Sequence, residues 1–245
     1  MGGSYTMAKS RKQEHREDTL TKITKKIEQF IVNNLKIILI LVVAGVVLGG
    51  GYLLTDHLLE RTEKRAESAF SKIYLLYSNT NADSSLDEEQ MKDKLMTLNE
   101  DFKLVLEQYP KTAAASRSAY YIGNTLYRYE EYEEALEYYK KGAEIRQKGY
   151  SAPLCVQGEA SCYEQLEEYQ NAQESYNKII TKYGDSFLIP MVRFSLGQIY
   201  EKQNMYDDAR DQYNRIVSDY SWSSWANLAE KKILLLKNIT GEDEV

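Results

Sequence analysis

Residues 127–135 have the sequence Tyr-Arg-Tyr-Glu-Glu-Tyr-Glu-Glu-Ala, and closely similar sequences recur at 163–172 and again at 200–209. The later copies are Tyr-Glu-Gln-Leu-Glu-Glu-Tyr-Gln-Asn-Ala and Tyr-Glu-Lys-Gln-Asn-Met-Tyr-Asp-Asp-Ala. A single register aligns all three copies at a constant period of 37 residues. The aligned positions are Gly123, Ala160 and Gly197; Tyr132, Tyr169 and Tyr206; Ala135, Ala172 and Ala209; and Tyr139, Tyr176 and Tyr213. A fixed period of this length indicates stacked copies of one structural unit.

The repeated unit predicts a pair of packed helices. A small residue on the first helix lets the second approach closely, and the alanine after the turn does the same from the other side. The tyrosine four residues later lies one helical turn on, where it fills the gap between neighbouring pairs. Each pair has an amphipathic stripe that is buried only when the next pair stacks on it. With 3 Pro and 13 Gly in 245 residues, the fold class is all-α.

This order of small residue, aromatic, aromatic, alanine and aromatic resembles the tetratricopeptide repeat, strongly over residues 112–220. The family's usual period is about 34 residues, so the longer period implies slightly longer helices or turns. One period upstream, Leu98, Phe102 and Val105 fit the second helix of a degenerate pair. Its first helix is predicted at Leu58–Tyr77 and its loop at Asn79–Ser85, and Trp222–Asn238 is predicted to close a tetratricopeptide-type helical-hairpin solenoid as a capping helix.

Residues Ile37 to Thr55 predict one transmembrane helix, because these nineteen residues carry no charge and suit a hydrocarbon core of about 30 Å. A cleaved signal peptide is the alternative, but the basic segment ahead of the span is long and no small-residue cleavage site follows it. Eight Lys and Arg precede the span, so the positive-inside rule predicts a cytoplasmic N-terminus and extracytoplasmic repeats. Gly45 and Gly49 form a G-x-x-x-G pair that favours a weak dimer of spans, although glycine is also common in such helices.

These features divide the chain into five predicted segments. They are a cytoplasmic basic tail (1–36), the transmembrane helix (37–55), a linking helix with the degenerate first pair (56–111), three repeats plus the capping helix (112–238) and an acidic tail (239–245). The layout resembles YfgM-like single-pass proteins of the bacterial inner membrane, whose repeat domain is periplasmic. That resemblance implies an adaptor or chaperone-like factor in envelope protein translocation or assembly, linked to the translocon. A fixed structural subunit of a secretion or flagellar complex is the alternative.

Chemistry-bearing residues are scarce in the repeats. The only histidines are His15 and His57, which removes the Ser-His and Cys-His pairs and the commonest zinc ligand sets from residues 58–245. We therefore expect no catalytic residue, no metal and no cofactor, with a pair of catalytic carboxylates as the one enzymatic alternative. Cys155 and Cys162 are seven residues apart on a predicted helix, too far for a disulfide, and are expected in the core. Beyond the span, 23 Lys and Arg face 33 Asp and Glu, which argues against nucleic-acid binding.

The tetratricopeptide resemblance implies that the first helices of the pairs line a protein-binding groove, for extended peptides or subunits of envelope complexes. Tyr120, Tyr127, Arg128 and Phe194 are expected to lead, since aromatics and arginine carry most interface energy. The alternative is that Tyr120 and Phe194 pack between adjacent first helices. The predicted groove residues are Arg117, Tyr120, Asn124, Tyr127, Arg128, Gln157, Ser161, Met191, Phe194 and Gln198. The predicted span provides a further contact, with membrane lipid.

Overall fold

The computed structural model describes the backbone of residues 3–241, and the side chains of residues 21–241 apart from residue 38. His15 and the end of the acidic tail, residues 242–245, lie outside the described side chains. Within residues 3–241 the chain forms nine α-helices and no strand, so the all-α prediction is confirmed. The helices are α1 (Gly3–Ala82), α2 (Glu88–Gln108), α3 (Ala113–Arg128), α4 (Tyr132–Ile145), α5 (Ser151–Gln165), α6 (Tyr169–Lys182), α7 (Ile189–Lys202), α8 (Tyr206–Asp219) and α9 (Ser224–Thr240).

The chain divides into two compact units, Met1–Glu60 and Arg61–Val245. Among the described residues, one stretch, Leu39–Ala82 of α1, is long and apolar enough to cross a membrane, judged by length and composition. The side chains of the predicted span from Ile37 onward are exposed along its described length. The hydroxyl of Thr55, at the end of that span, donates to the carbonyl of Tyr52 at 2.8 Å.

The second unit contains the repeats, as the pairs α3/α4, α5/α6 and α7/α8 followed by α9. The repeated alanines Ala135, Ala172 and Ala209 are fully buried. The repeated rings of Tyr139, Tyr176 and Tyr213 are buried as well, and Tyr132, Tyr169 and Tyr206 begin the second helix of each pair. A Cβ placed on Gly197 would lie 2.5 Å from the Tyr213 ring. The small residue on the first helix is therefore required by the close approach of the ring, and the predicted solenoid is confirmed.

The turn inside each pair has the same left-handed residue, a feature that the sequence pattern did not predict. Glu130, Glu167 and Asn204 have φ values of 64°, 61° and 59°, and they are spaced by the repeat period. The residue after each one donates its N–H to a carbonyl five residues back, at 2.9 Å for Glu131 to Leu126. In the other two turns, the N–H of Glu168 donates to the Tyr163 carbonyl at 2.8 Å, and that of Met205 donates to the Tyr200 carbonyl at 2.9 Å. This bonding is the Schellman motif, which satisfies the last carbonyls of a helix.

The loop of the degenerate first pair lies later than predicted. We expected it at Asn79–Ser85, but α1 remains helical to Ala82 and α2 begins at Glu88. The Asn81 amide stabilises the extra turn, because it donates to the Tyr77 carbonyl at 2.9 Å and accepts from Arg128 at 2.9 Å. Asp87 then caps α2 through a capping box with Gln90. At the other end, α9 starts and ends two residues later than the predicted Trp222–Asn238.

A candidate protein-binding surface

Three half-exposed polar side chains occupy one register position on the first helices of the pairs. They are Asn124 on α3, Ser161 on α5 and Gln198 on α7, each separated by the repeat period. Asn124 accepts a hydrogen bond from the hydroxyl of Tyr139 at 2.7 Å, and Ser161 accepts one from the Gln157 amide at 2.9 Å. Amide and hydroxyl groups both donate and accept. A row of such groups can therefore donate to and accept from backbone amides, whatever the side chains beside them.

The two predicted groove arginines contact the helices that precede the repeats. Arg117 forms an ion pair with Glu67 of α1, and its guanidinium lies 4.1 Å from the centre of the Phe70 ring. Arg128 donates to Asn81 and lies 3.7 Å from a carboxylate oxygen of Glu88. These contacts join α3 to the C-terminal part of α1 and to the start of α2. The arginines are thus engaged within the chain.

The predicted aromatic and apolar groove residues pack to different extents. Phe194 is only 8% exposed, with its ring 5.3 Å from those of Tyr213 and Trp225. Tyr120 is half-buried, and its ring lies 6.1 Å from that of Tyr139. Tyr120 thus packs against α4, the second helix of its own pair, and Phe194 packs against α8 and the capping helix α9. Met191 is partly buried against the core of the second and third repeats, and the half-buried Tyr127 ring meets Tyr132 at 5.3 Å.

Sequence reasoning missed Tyr121, which is the centre of an aromatic cluster. Its ring lies 5.8 Å from Phe70, 5.8 Å from Phe102 and 5.1 Å from Tyr77. Burial, followed by the neighbouring hydroxyl of Tyr74, raises the pKa of Tyr121 above its ordinary value. The sequence does contain a sign of this cluster, because Tyr121 departs from the repeat. The equivalent positions one and two periods later hold the small residues Gly158 and Ser195.

The buried tyrosines of the second and third repeats donate to glutamates twelve residues earlier. The hydroxyl of Tyr176 donates to Glu164, and that of Tyr213 donates to Glu201. Burial raises the pKa of the Glu164 carboxyl, and the hydrogen bond from Tyr176 opposes that rise. The first repeat has Tyr127 at the equivalent position, so Tyr139 uses Asn124 instead.

Cys155 and Cys162 are both free and fully buried, so their predicted role as core residues is confirmed. Burial raises the pKa of each thiol to about 12, and a protonated thiol is a poor nucleophile. Over the part of the chain that the structure describes, no group of three or more His, Cys, Asp or Glu is placed to hold a metal ion.

Comparison with known proteins agrees with this geometry. A tetratricopeptide repeat model matches residues 159–186 and 192–221, which are helices of the second and third repeats. No curated protein shows a significant match to the chain. Repeats of this type indicate a protein–protein interaction module, and no catalytic family is indicated.

Solved structures with a similar fold include MamA, with 18% identity over 63% of this chain and 84% of that chain, and a TM-score of 0.51. A tetratricopeptide repeat protein from Parabacteroides merdae has 17% identity over 71% of this chain and 61% of that one, with a TM-score of 0.54. BtubC from P. vanneervenii has 14% identity over 75% and 84%, with a TM-score of 0.55. At such identities the likeness concerns the fold, and it supports a tetratricopeptide-type solenoid.

Proposed function

We propose that the chain is a membrane-anchored interaction module whose first helices bind segments of other proteins. The observation that carries this proposal is the row formed by Asn124, Ser161 and Gln198, which we call the polar row. These side chains remain half-exposed on helices that also pack into the core. Rigid helices that present half-exposed amide and hydroxyl groups, each able to donate and to accept further hydrogen bonds, suit an extended peptide or a partner helix.

The engaged arginines narrow the proposed site. Because Arg117 and Arg128 contact α1 and α2, the binding surface is proposed to run along α5 and α7, with Gln157, Ser161 and Gln198 as its accessible centre. The half-buried ring of Tyr127, on the neighbouring helix α3, lies at the edge of this proposed surface. Phe194 and Tyr120 support this surface from within the packing rather than by touching a partner.

We further propose the cellular setting that the YfgM-like layout implies. The apolar helix at 37–55 anchors the protein in a bacterial inner membrane, the basic tail stays in the cytoplasm, and the repeats face the periplasm. Support comes from the eight basic residues before the span and from the exposed apolar side chains along it. Gly45 and Gly49 lie four residues apart and so share one face of this helix, which supports weak pairing of two spans.

The experiment is affinity capture by the full chain from detergent-solubilised membranes. A variant with Ser161→Arg and Gln198→Arg should prevent partners from reaching the polar row, since a long cationic side chain still reaches solvent from a half-exposed site. A matched control carries arginine at Gln170 and Asn214, which are exposed on α6 and α8. We expect partners to be lost from the first variant and retained by the control. Equal capture by both variants would contradict the proposed surface.

The same capture distinguishes the two proposed roles. Many partners in substoichiometric amounts would identify an adaptor or chaperone-like factor in translocation or assembly of envelope proteins. One stoichiometric set would identify a fixed subunit of an envelope machine.

A further inference from the structure

A cleft opens at one edge of the repeats, between the turn that precedes α5 and the turn that precedes α7. Its volume is about 630 Å³, and Pro153 and Gly184 are among its lining residues. Helices α5 and α7 approach each other less closely than α3 and α5 do, which leaves room between the two turns. The cleft is formed by turns between repeats, so it is separate from the polar row.

Two exposed aromatic rings form one wall of this cleft. Tyr150 and Phe187 are one repeat period apart, and their rings lie 6.1 Å apart with an angle of 20° between their planes. They are 73% and 62% exposed. Large aromatic side chains are usually buried in the core, and an exposed pair at the mouth of a cleft is a common feature of binding surfaces.

The charge of the cleft is opposite to that of the soluble part as a whole. Lys148 and Lys182 line it beside a single described carboxylate, that of Asp185. Lys182 is held at the rim, because its Nζ donates to Gln147 Oε1 at 3.0 Å. An adjoining hollow of about 330 Å³ shares Lys182 and adds two further lysines, Lys140 and Lys178, against Glu144 and Glu159. The cleft and the hollow together have four lysines and three carboxylates, a small positive excess, whereas the chain beyond the predicted span has ten more carboxylates than basic groups.

We propose that this cleft is a second docking site, and that it takes an acidic peptide segment carrying one aromatic or aliphatic side chain. That side chain packs against Tyr150 and Phe187, while flanking carboxylates pair with Lys148 and Lys182. A volume of this size is typical of sites that enclose a small group. A concave cleft with Asp185 in its wall fits a peptide better than the flat anionic surface of a bilayer.

The test is fluorescence anisotropy with the full chain in detergent micelles. The probes are fluorescein-labelled dodecapeptides with six Asp or Glu and one central Phe, Trp or Leu, together with versions whose central residue is Ser. We expect the apolar-centred probes to bind and the Ser versions to bind at least tenfold more weakly. Binding should weaken with added salt, since exposed charge pairs are screened.

Two variants locate the site. Changing Tyr150→Ser with Phe187→Ser, or Lys148→Glu with Lys182→Glu, should weaken binding at least tenfold. The matched controls are Trp222→Ser, an aromatic residue that is 80% exposed in another turn, and Lys111→Glu, one period before Lys148.

The controls should bind like the original chain, and circular dichroism should show that all variants remain helical. Absence of probe binding, or equal losses in the controls, would overturn the proposal. The proposal would also be overturned if the chain bound phosphatidylglycerol vesicles through Tyr150 and Phe187 but did not bind the peptides. The variant with Ser161→Arg and Gln198→Arg should bind the probes like the original chain, which separates this proposal from the proposed function.

Discussion

Replacing Glu167 by glycine should stabilise the repeats, although glycine usually destabilises a protein. Glu167 follows the end of α5 and lies in the left-handed region, with φ of 61°, where it allows the N–H of Glu168 to reach the Tyr163 carbonyl at 2.8 Å. Glu130 has the same role one repeat earlier, with φ of 64°. Both glutamates are exposed, so truncating their side chains removes little packing.

The size of the effect follows from two opposing terms. A residue with a Cβ is disfavoured in the left-handed region by about 1–2 kcal/mol. Glycine loses more backbone entropy on folding, which costs roughly 0.5–1 kcal/mol. The net gain is therefore about 0–1.5 kcal/mol for each glutamate, with a central value of about 0.75 kcal/mol. Asn204 occupies the third equivalent position with φ of 59°, and asparagine tolerates this region, so Asn204→Gly should change stability by much less.

The assay is urea denaturation of the full chain in detergent, followed by far-ultraviolet circular dichroism, for the three single variants and the double variant. We expect Glu130→Gly and Glu167→Gly to raise the unfolding midpoint and to add in the double variant, since the two turns lie in different repeats. Destabilisation of about 1 kcal/mol by either change would mean that the turn is not left-handed and that the repeated cap is wrong.

Four further results are expected. Gly197→Ala should lower stability by about 1 kcal/mol in urea titration, because overpacking against the Tyr213 ring costs roughly 1–3 kcal/mol and outweighs the helix propensity gained; a stabilised variant would refute that contact. Burial raises the folded pKa of Glu164 above its unfolded value near 4.5. The stability that the protonated Glu164 carboxyl contributes to the folded chain is therefore fully present below that value and lost as pH rises through the folded pKa. Glu164→Gln should therefore gain stability relative to the original chain between pH 4 and pH 7, and a constant difference in urea midpoints would contradict this. Glu67→Gln should weaken the attachment of α1 to α3 and speed amide exchange in residues 61–82, whereas unchanged exchange would show that its pair with Arg117 contributes little. Alkaline phosphatase fused after Val245 should be active in a bacterial host, and activity of only a cytoplasmic reporter there would reverse the proposed topology.

Much of the fold was predictable because the repeat constrains each position three times. Ala135, Ala172 and Ala209 share one buried environment, so the recurrence of alanine at one register position is enough to indicate close packing there. The turn residues escaped notice because Glu130, Glu167 and Asn204 are not all of one chemical type. What they share is a backbone conformation, and glutamate gives no sign of the left-handed region.

The binding surface was less predictable, for a different reason. Side chains on the first helices were assigned to the groove from the register alone, but the register does not show what the preceding helix contributes. Glu67 and Asn81 of α1 reach Arg117 and Arg128, and neither contact has an equivalent in later repeats. Phe194 is likewise covered by Trp225 of the capping helix. Departures from periodicity at the two ends of a solenoid are set by tertiary contacts that repetition cannot reveal.

The proposed polar row is tested most directly by a photo-crosslinking amino acid placed at Ser161 in the full chain, in living bacteria. The matched position is Asn214, exposed on the second helix of the third repeat. If the first helices bind partner proteins, ultraviolet light should join Ser161 to other proteins and leave Asn214 largely unlinked. Crosslinks at Asn214 with none at Ser161 would show that partners bind another surface, and would contradict the account.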